Sequence, residues 1–145
     1  MLFRSDKRPV HFIGIGGAGM SALALIACRR GVTVSGCDTD PSGAADLAAL
    51  GVRVWQGHDP SHLDGARAVV VTAAVPAGHP ELDRARSLGL PVVPRKEALA
   101  ALIGEARSVA VSGTHGKTTT TVMTDRKSTR LNSSHIQKSR MPSSA

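Results

Sequence analysis

The sequence predicts an α/β fold: a Rossmann-like, doubly wound parallel sheet. Three observations carry that expectation. Short apolar runs alternate with helix-like segments from Pro9 onward, as repeated βα units with right-handed crossovers require. The run 68–72 is continuously apolar, which suits a strand covered on both faces. Two glycine loops each follow an apolar run and open a helix-like one, and ligands of such sheets collect at the carboxyl ends of the strands.

The elements follow in order. Residues 1–8 are polar and carry no pattern. Residues 10–15 form a first strand, and Gly14-Ile-Gly16-Gly-Ala-Gly19 satisfies G-x-G-x-x-G. A helix over 20–27 ends at Gly31, and 32–36 is the next strand. Residues 41–50 form a short Ala-rich helix stopped by Gly51, followed by a strand at 52–56. Pro60 begins one helical turn over 60–63. After the strand 68–72, a helix over 80–87 stops at Gly89. Residues 91–94 make a short strand and 96–103 a helix. The run 108–111 is a further strand that enters the second glycine loop, with a helix starting near Lys117.

In the first loop, Gly14 permits a tight turn, Gly16 lets a diphosphate approach the backbone, and Gly19 lets helix pack on strand. Asp38 falls nineteen residues after Gly19, where a carboxylate commonly meets a ribose hydroxyl. Alone, the glycine pattern is weak. With strand, helix, strand and acid in order, it points to a nucleotide carrying a diphosphate, without saying which. Asp38 serves equally well as a turn cap.

The second loop is Gly113-Thr-His-Gly-Lys-Thr-Thr-Thr-Thr121. Converging backbone N–H groups and a helix N-terminus suit anionic oxygens. Lys117 would place positive charge on the outer phosphates, and Thr118 would offer its hydroxyl to Mg²⁺. The match to the Walker A pattern is incomplete, because Val111 stands where that pattern wants glycine. The plain alternative is a Gly/Thr-rich turn opening a helix.

The chain has 145 residues and only three aromatic side chains outside histidine, Phe3, Phe12 and Trp55. Small and branched aliphatics must build the core. No apolar run approaches a membrane span and no secretory signal is visible, so a cytoplasmic protein is expected. Cys28 and Cys37 fit no CxxC pattern and read as reduced thiols. The net charge of +7 is concentrated in the last residues, since 125–145 hold five Lys/Arg against one Asp. The body lacks basic patches with interleaved aromatics, so no nucleic-acid partner is expected. Residues 125–145 have no apolar periodicity and read as disordered, and as non-native, adapter-like sequence. A basic tail for nucleic acid or anionic surfaces is the rival reading.

His58 and His62 are four apart, but Pro60 intervenes and no third ligand is near in sequence, so no zinc site is read there. His58, residues 72–75 and Arg95 follow strand ends. Each is a candidate contact for a ligand, or plain strand termination and surface charge.

Both loops together, with the stretches Ser35-Gly-Cys-Asp38, Gly57-His58 and Val71-Thr-Ala-Ala-Val-Pro76, resemble the Mur ligases of bacterial cell-wall synthesis. The resemblance covers about residues 9–124. It implies a three-domain, ATP- and Mg²⁺-dependent enzyme that phosphorylates the carboxylate of UDP-N-acetylmuramate and transfers the acyl group to L-alanine. Carried onto this sequence, Gly14, Gly16, Gly17, Ala18, Gly19, Met20, Ser21 and Asp38 bind the UDP-sugar. Gly113, Thr114, His115, Gly116, Lys117, Thr118 and Thr119 bind ATP, Lys117 is catalytic, and Thr118 holds Mg²⁺. The implied domains are 1–106 for the UDP-sugar and 107–124 for the start of the central ATP domain, with 125–145 as tail. The chain is then expected to be an N-terminal fragment without turnover of its own. A nicotinamide-dependent oxidoreductase is the first alternative, although it has no need of the second loop. A non-catalytic nucleotide-binding module is the other.

Overall fold

The computed structural model describes residues 6–104, 113–116 and 119. The chain divides into two compact units, Met1–Arg107 and Ser108–Ala145. The expected strand 108–111, Lys117, Thr118 and the tail 125–145 lie outside the described residues.

The first unit is the parallel sheet that the sequence predicts. Its elements are β1 (Val10–Ile13), α1 (Ala18–Arg29), β2 (Val34–Asp38), a 3-10 turn (Pro41–Ala44) running into α2 (Ala45–Ala49), and β3 (Arg53–Gln56). A second 3-10 turn (Pro60–Leu63) precedes β4 (Ala68–Val71), α3 (Pro80–Ser87), β5 (Val92–Pro94) and α4 (Arg95–Ile103). Strand order is β3-β2-β1-β4-β5, with every neighbouring pair parallel. The order reverses between β1 and β4, so a crevice must open there at the carboxyl ends.

Strand pleat sorts the side chains onto two faces. Val10 and Phe12 of β1, Val34 of β2, and Ala68 and Val70 of β4 pack with Met20, Leu23, Ala24 and Ala27 of α1 and Ala98 and Leu102 of α4. Ile13, Cys37 and Val69 lie on the opposite face with Leu63, Leu82 and Ala85, beneath the second 3-10 turn and α3. Full burial of each large aliphatic contributes about 1.5–3 kcal/mol. On the α3 face the apolar pattern is interrupted: His11, Ser35 and Glu81 are all buried.

Element ends have local causes. β1 stops at Ile13, two residues short of expectation, because Gly14 turns to φ +81°. Gly31 has φ +80° at the end of α1, and Val32 donates to the Ala27 carbonyl at 3.1 Å. That bond holds Val32 in the helix-ending turn and delays β2 to Val34. Pro80 occupies the first turn of α3, Glu81 and Asp83 favour its N-terminus, and Arg84 and Arg86 favour its C-terminus.

Candidate functional site

A cleft of about 1000 Å³ opens at the carboxyl ends of the strands. From β1 and α1 it is lined by Ile13, Gly14, Gly17, Ala18, Gly19 and Met20, and from β2 by Asp38 and Thr39. His58, the segment Val71–Pro76, His79, Pro94, Arg95 and Lys96 complete it. Of the residues expected to meet the UDP-sugar, Gly16 and Ser21 are absent from this lining.

The backbone donors of the glycine loop are mostly spoken for. Gly16 N–H donates to Asp38 Oδ2 at 2.8 Å, and Gly17 N–H to the Gly14 carbonyl at 3.2 Å. Met20 and Ser21 N–H both donate to the Gly17 carbonyl, at 2.9 and 2.8 Å. Ala18 and Gly19 are the first two residues of α1, whose N–H groups the helix itself gives no acceptor. The N-cap is Gly17, with no side-chain cap, and no acidic residue sits in the first turn. Among the described residues neither donor has an acceptor, and with the positive end of a helix dipole they border the cleft.

Arg95 reinforces that polarity. Its Nε donates to the Gly19 carbonyl at 3.3 Å, and it stands with Lys96 in the first turn of α4. The third glycine has a different role from helix–strand packing. A Cβ on Gly19 would lie 2.6 Å from the Arg95 guanidinium, so the missing side chain makes room for that cation. Gly16 differs as well. A Cβ there would run into the Asp40 carbonyl and reach within 3.0 Å of the Asp38 carboxylate. Gly43 of the first 3-10 turn is pressed likewise against the Gly16 carbonyl. The second glycine is thus required by the protein's own packing.

Asp38 is bound into this loop. Its Oδ1 accepts from Asp40 N–H at 3.0 Å and Thr39 Oγ1 at 3.3 Å. It still lines the cleft, but its first task is to fasten β2 to the glycine loop.

Behind the cleft, on the α3 face, sits a polar cluster that the sequence reading did not assemble. Glu81 is fully buried. Its Oε1 accepts Asp59 N–H at 3.1 Å and lies 2.9 Å from His62 Nδ1. Its Oε2 lies 3.1 Å from Cys37 Sγ and 3.3 Å from His58 Nδ1. Buried His11 bridges Ser35 Oγ at 3.0 Å and Cys37 Sγ at 3.3 Å. Trp55 stacks on His62 with ring centres 4.6 Å apart. Burial pushes the His11 imidazole down to about 4 against the pull of Glu81, and it pushes the Cys37 thiol up. Burial alone would raise the Glu81 carboxyl, but hydrogen bonds to Cys37 and His62 hold it below its ordinary range. One signal in the sequence pointed here: His11 is a polar residue inside a strand otherwise made of Val, Phe and Ile.

Of the second glycine loop, Gly113 to Gly116 and Thr119 are described, and all are exposed. Gly113 and Gly116 take φ +152° and +76°, and among the described residues no atom lies within 4 Å of where a Gly116 Cβ would stand. The ligand roles expected of Lys117 and Thr118 fall outside the described residues.

Comparison with known proteins gives a consistent answer. The model of the Mur ligase family, catalytic domain, matches residues 9–107. A UDP-N-acetylmuramate–L-alanine ligase of Acidothermus cellulolyticus is 56% identical over 114 residues, 78% of this chain and 24% of the relative. The crystal structure of the UDP-N-acetylmuramate–alanine ligase of Thermotoga maritima aligns with TM-score 0.74 at 35% identity, covering 80% of this chain and 28% of that one. A murein peptide ligase of Psychrobacter arcticus aligns with TM-score 0.73 at 37% identity, over 80% of this chain and 25% of that one. The chain spans about a quarter of the length of the curated relatives it matches.

Proposed function

The chain belongs to the Mur ligase family, and on that premise we propose that it is the UDP-sugar-holding part of a ligase joining UDP-N-acetylmuramate to L-alanine. The observation that carries the reading is the pairing of α1's first-turn donors, Ala18 and Gly19, with the Arg95 guanidinium across the same cleft. A diphosphate seated there would meet backbone N–H groups, a helix dipole and a cation together. Gly14, Gly17 and Met20 shape the floor, and Asp38 with Gly16 holds the loop in place. The apolar segment Val71–Pro76 leaves a wall for the sugar. The nicotinamide-dependent oxidoreductase alternative falls with membership of a ligase family.

The proposed division of the chain is 1–106 for the UDP-sugar and 107–124 for the beginning of an ATP-binding domain. In the complete enzyme, Gly113 to Thr119 would wrap the phosphates of ATP, and Thr118 would hold Mg²⁺. When bound, that ion neutralises charge on the outer phosphates. Lys117 would balance charge as the γ-phosphoryl passes to the carboxylate of the sugar, releasing ADP. The amine of L-alanine then attacks the acyl carbon, phosphate leaves, and the nitrogen gives up a proton to form the amide. A cytoplasmic setting goes with substrates of this kind, and neither nucleic acid nor membrane is a proposed partner. Among the described residues no helix is long and apolar enough to cross a membrane.

Calorimetry tests the reading. The chain should bind UDP-N-acetylmuramate, and UDP more weakly, with little response to NAD. Micromolar NAD affinity with no heat from either uridine nucleotide would overturn it.

A further inference from the structure

We propose that Cys37, His58, His79 and Glu81 form a binding site for one Zn²⁺ ion at the back of the cleft. Three segments distant in sequence bring these groups together: the end of β2, the loop after β3, and the start of α3. Cys37 Sγ, His58 Nδ1 and Glu81 Oε2 form a triangle with edges of 3.1, 3.3 and 3.3 Å. The ligand atoms of His58, His79 and Glu81 all lie within 4.8 Å of one another. His79 Nδ1, 3.9 Å from Glu81 Oε2, accepts Glu81 N–H at 3.3 Å as the cap of α3, and would exchange that bond for the metal as fourth ligand. Tetrahedral zinc with bonds of about 2.0–2.3 Å to N, O and S separates its ligands by roughly 3.3–3.7 Å. The triangle of Cys37, His58 and Glu81 is near that spacing before any rearrangement.

The three atoms converge on one point. The triangle can close as hydrogen bonds onto Glu81 Oε2 or around a cation. A cation at its centre would satisfy all three atoms at once. Charge agrees: a thiolate, a carboxylate and Zn²⁺ sum to zero, which a buried position demands. Binding through the Cys37 sulfur would displace the thiol proton.

The surroundings also match what metal ligands need. Glu81 Oε1 is held by His62 Nδ1 and Asp59 N–H, while Cys37 Sγ lies between the two oxygens, 3.2 Å from Oε1 and 3.1 Å from Oε2. His11, anchored on Ser35 Oγ, lies 3.3 Å from Cys37 Sγ and can donate to a thiolate. Partners of this kind orient ligands and strengthen metal binding. Glu81 has no exposed side-chain surface, while His79 keeps 10% and His58 24%. Both imidazoles also line the cleft, which gives the ion a way in.

The test uses the 145-residue chain, stripped with chelator and titrated with Co²⁺ alone and then Zn²⁺. The expected result is one Co²⁺ per chain, tetrahedral d–d bands, and a near-ultraviolet thiolate-to-cobalt band that one equivalent of Zn²⁺ abolishes. Cys37→Ser should lose that band and Cys28→Ser should keep it. His58→Gln should weaken Zn²⁺ by at least about tenfold. Circular dichroism of each variant checks folding, and the Cys28→Ser comparison stands even if Cys37→Ser does not fold. Absence of a saturable one-to-one cobalt spectrum in the unmodified chain would overturn the proposal. So would a charge-transfer band lost in Cys28→Ser, or Zn²⁺ affinity unchanged in a folded Cys37→Ser or His58→Gln.

Discussion

Asp38 Oδ2 accepts the backbone N–H of Gly16 at 2.8 Å, so the acid at the end of β2 is a strut of the glycine loop. With Oδ1 on Asp40 N–H, one carboxylate sets the spacing of two loops. The geometry of the anion-facing turn then depends on a side chain that need not touch the anion.

Replacing Asp38 by alanine should leave Gly16 N–H without its acceptor. The expected cost is about 1–3 kcal/mol of stability, together with weaker UDP-sugar binding. Asp38→Asn keeps an acceptor oxygen and should lose less of both. Urea unfolding and calorimetry on the two variants check this, and equal losses would show that charge matters more than the strut.

The two early glycines should fail differently. Gly14→Ala meets no backbone atom within 4 Å but is strained at φ +81°, at a cost of about 1–2 kcal/mol. Gly16→Val forces a Cβ into the Asp40 carbonyl, so it should unfold at lower denaturant than Gly14→Ala. Considered from sequence alone, that valine would only block the diphosphate and leave stability intact. Equal midpoints for Gly16→Val and the parent chain would restore that simpler reading.

Arg95→Ala should weaken UDP-N-acetylmuramate by about tenfold, the loss of roughly 1.4 kcal/mol, with the melting temperature nearly unchanged. The side chain is exposed and its bond to the Gly19 carbonyl is long, at 3.3 Å. Titrations at two salt concentrations supply the check, because removing a phosphate-facing cation should flatten the salt dependence. An unaltered affinity would place the diphosphate away from α4.

Lys117→Ala, placed in a full-length enzyme, should cut phosphate release by about a hundredfold or more, as loss of a preorganised electrostatic contact does. The same change in this chain should leave UDP-sugar affinity as it was, since the two glycine loops serve different nucleotides. Normal phosphate release in the first case, or lost UDP-sugar binding in the second, would contradict that assignment.

Much of the scaffold was legible in the sequence because its signals are local. Gly14, Gly31 and Gly89 mark turns that only their own φ values need, and Pro80 opens α3 where expected. Boundaries slipped where a backbone bond outranked propensity, as at Val32, whose N–H is tied to Ala27. The site was legible in outline only. Sequence spacing placed Asp38 near a ligand and gave Gly19 to helix–strand packing, but their actual partners, Gly16 and Arg95, are 22 and 76 residues away. Glu81 went unread altogether. Its partners Cys37 and His58 lie 44 and 23 residues off, and nothing in a helical first turn distinguishes a buried glutamate from a solvated one that favours the dipole.

The strand order has a kinetic corollary. Pairing β1 with β4 joins Val10–Phe12 to Ala68–Val70, which closes a long stretch of chain before any contact there is rewarded. The β1–β2–β3 side and the β4–β5 side can each assemble over shorter separations, so zipping the central seam should limit the folding rate. That seam is also the floor of the ligand crevice. A nucleotide able to hold both sides together would act late in folding, slowing unfolding more than it hastens assembly.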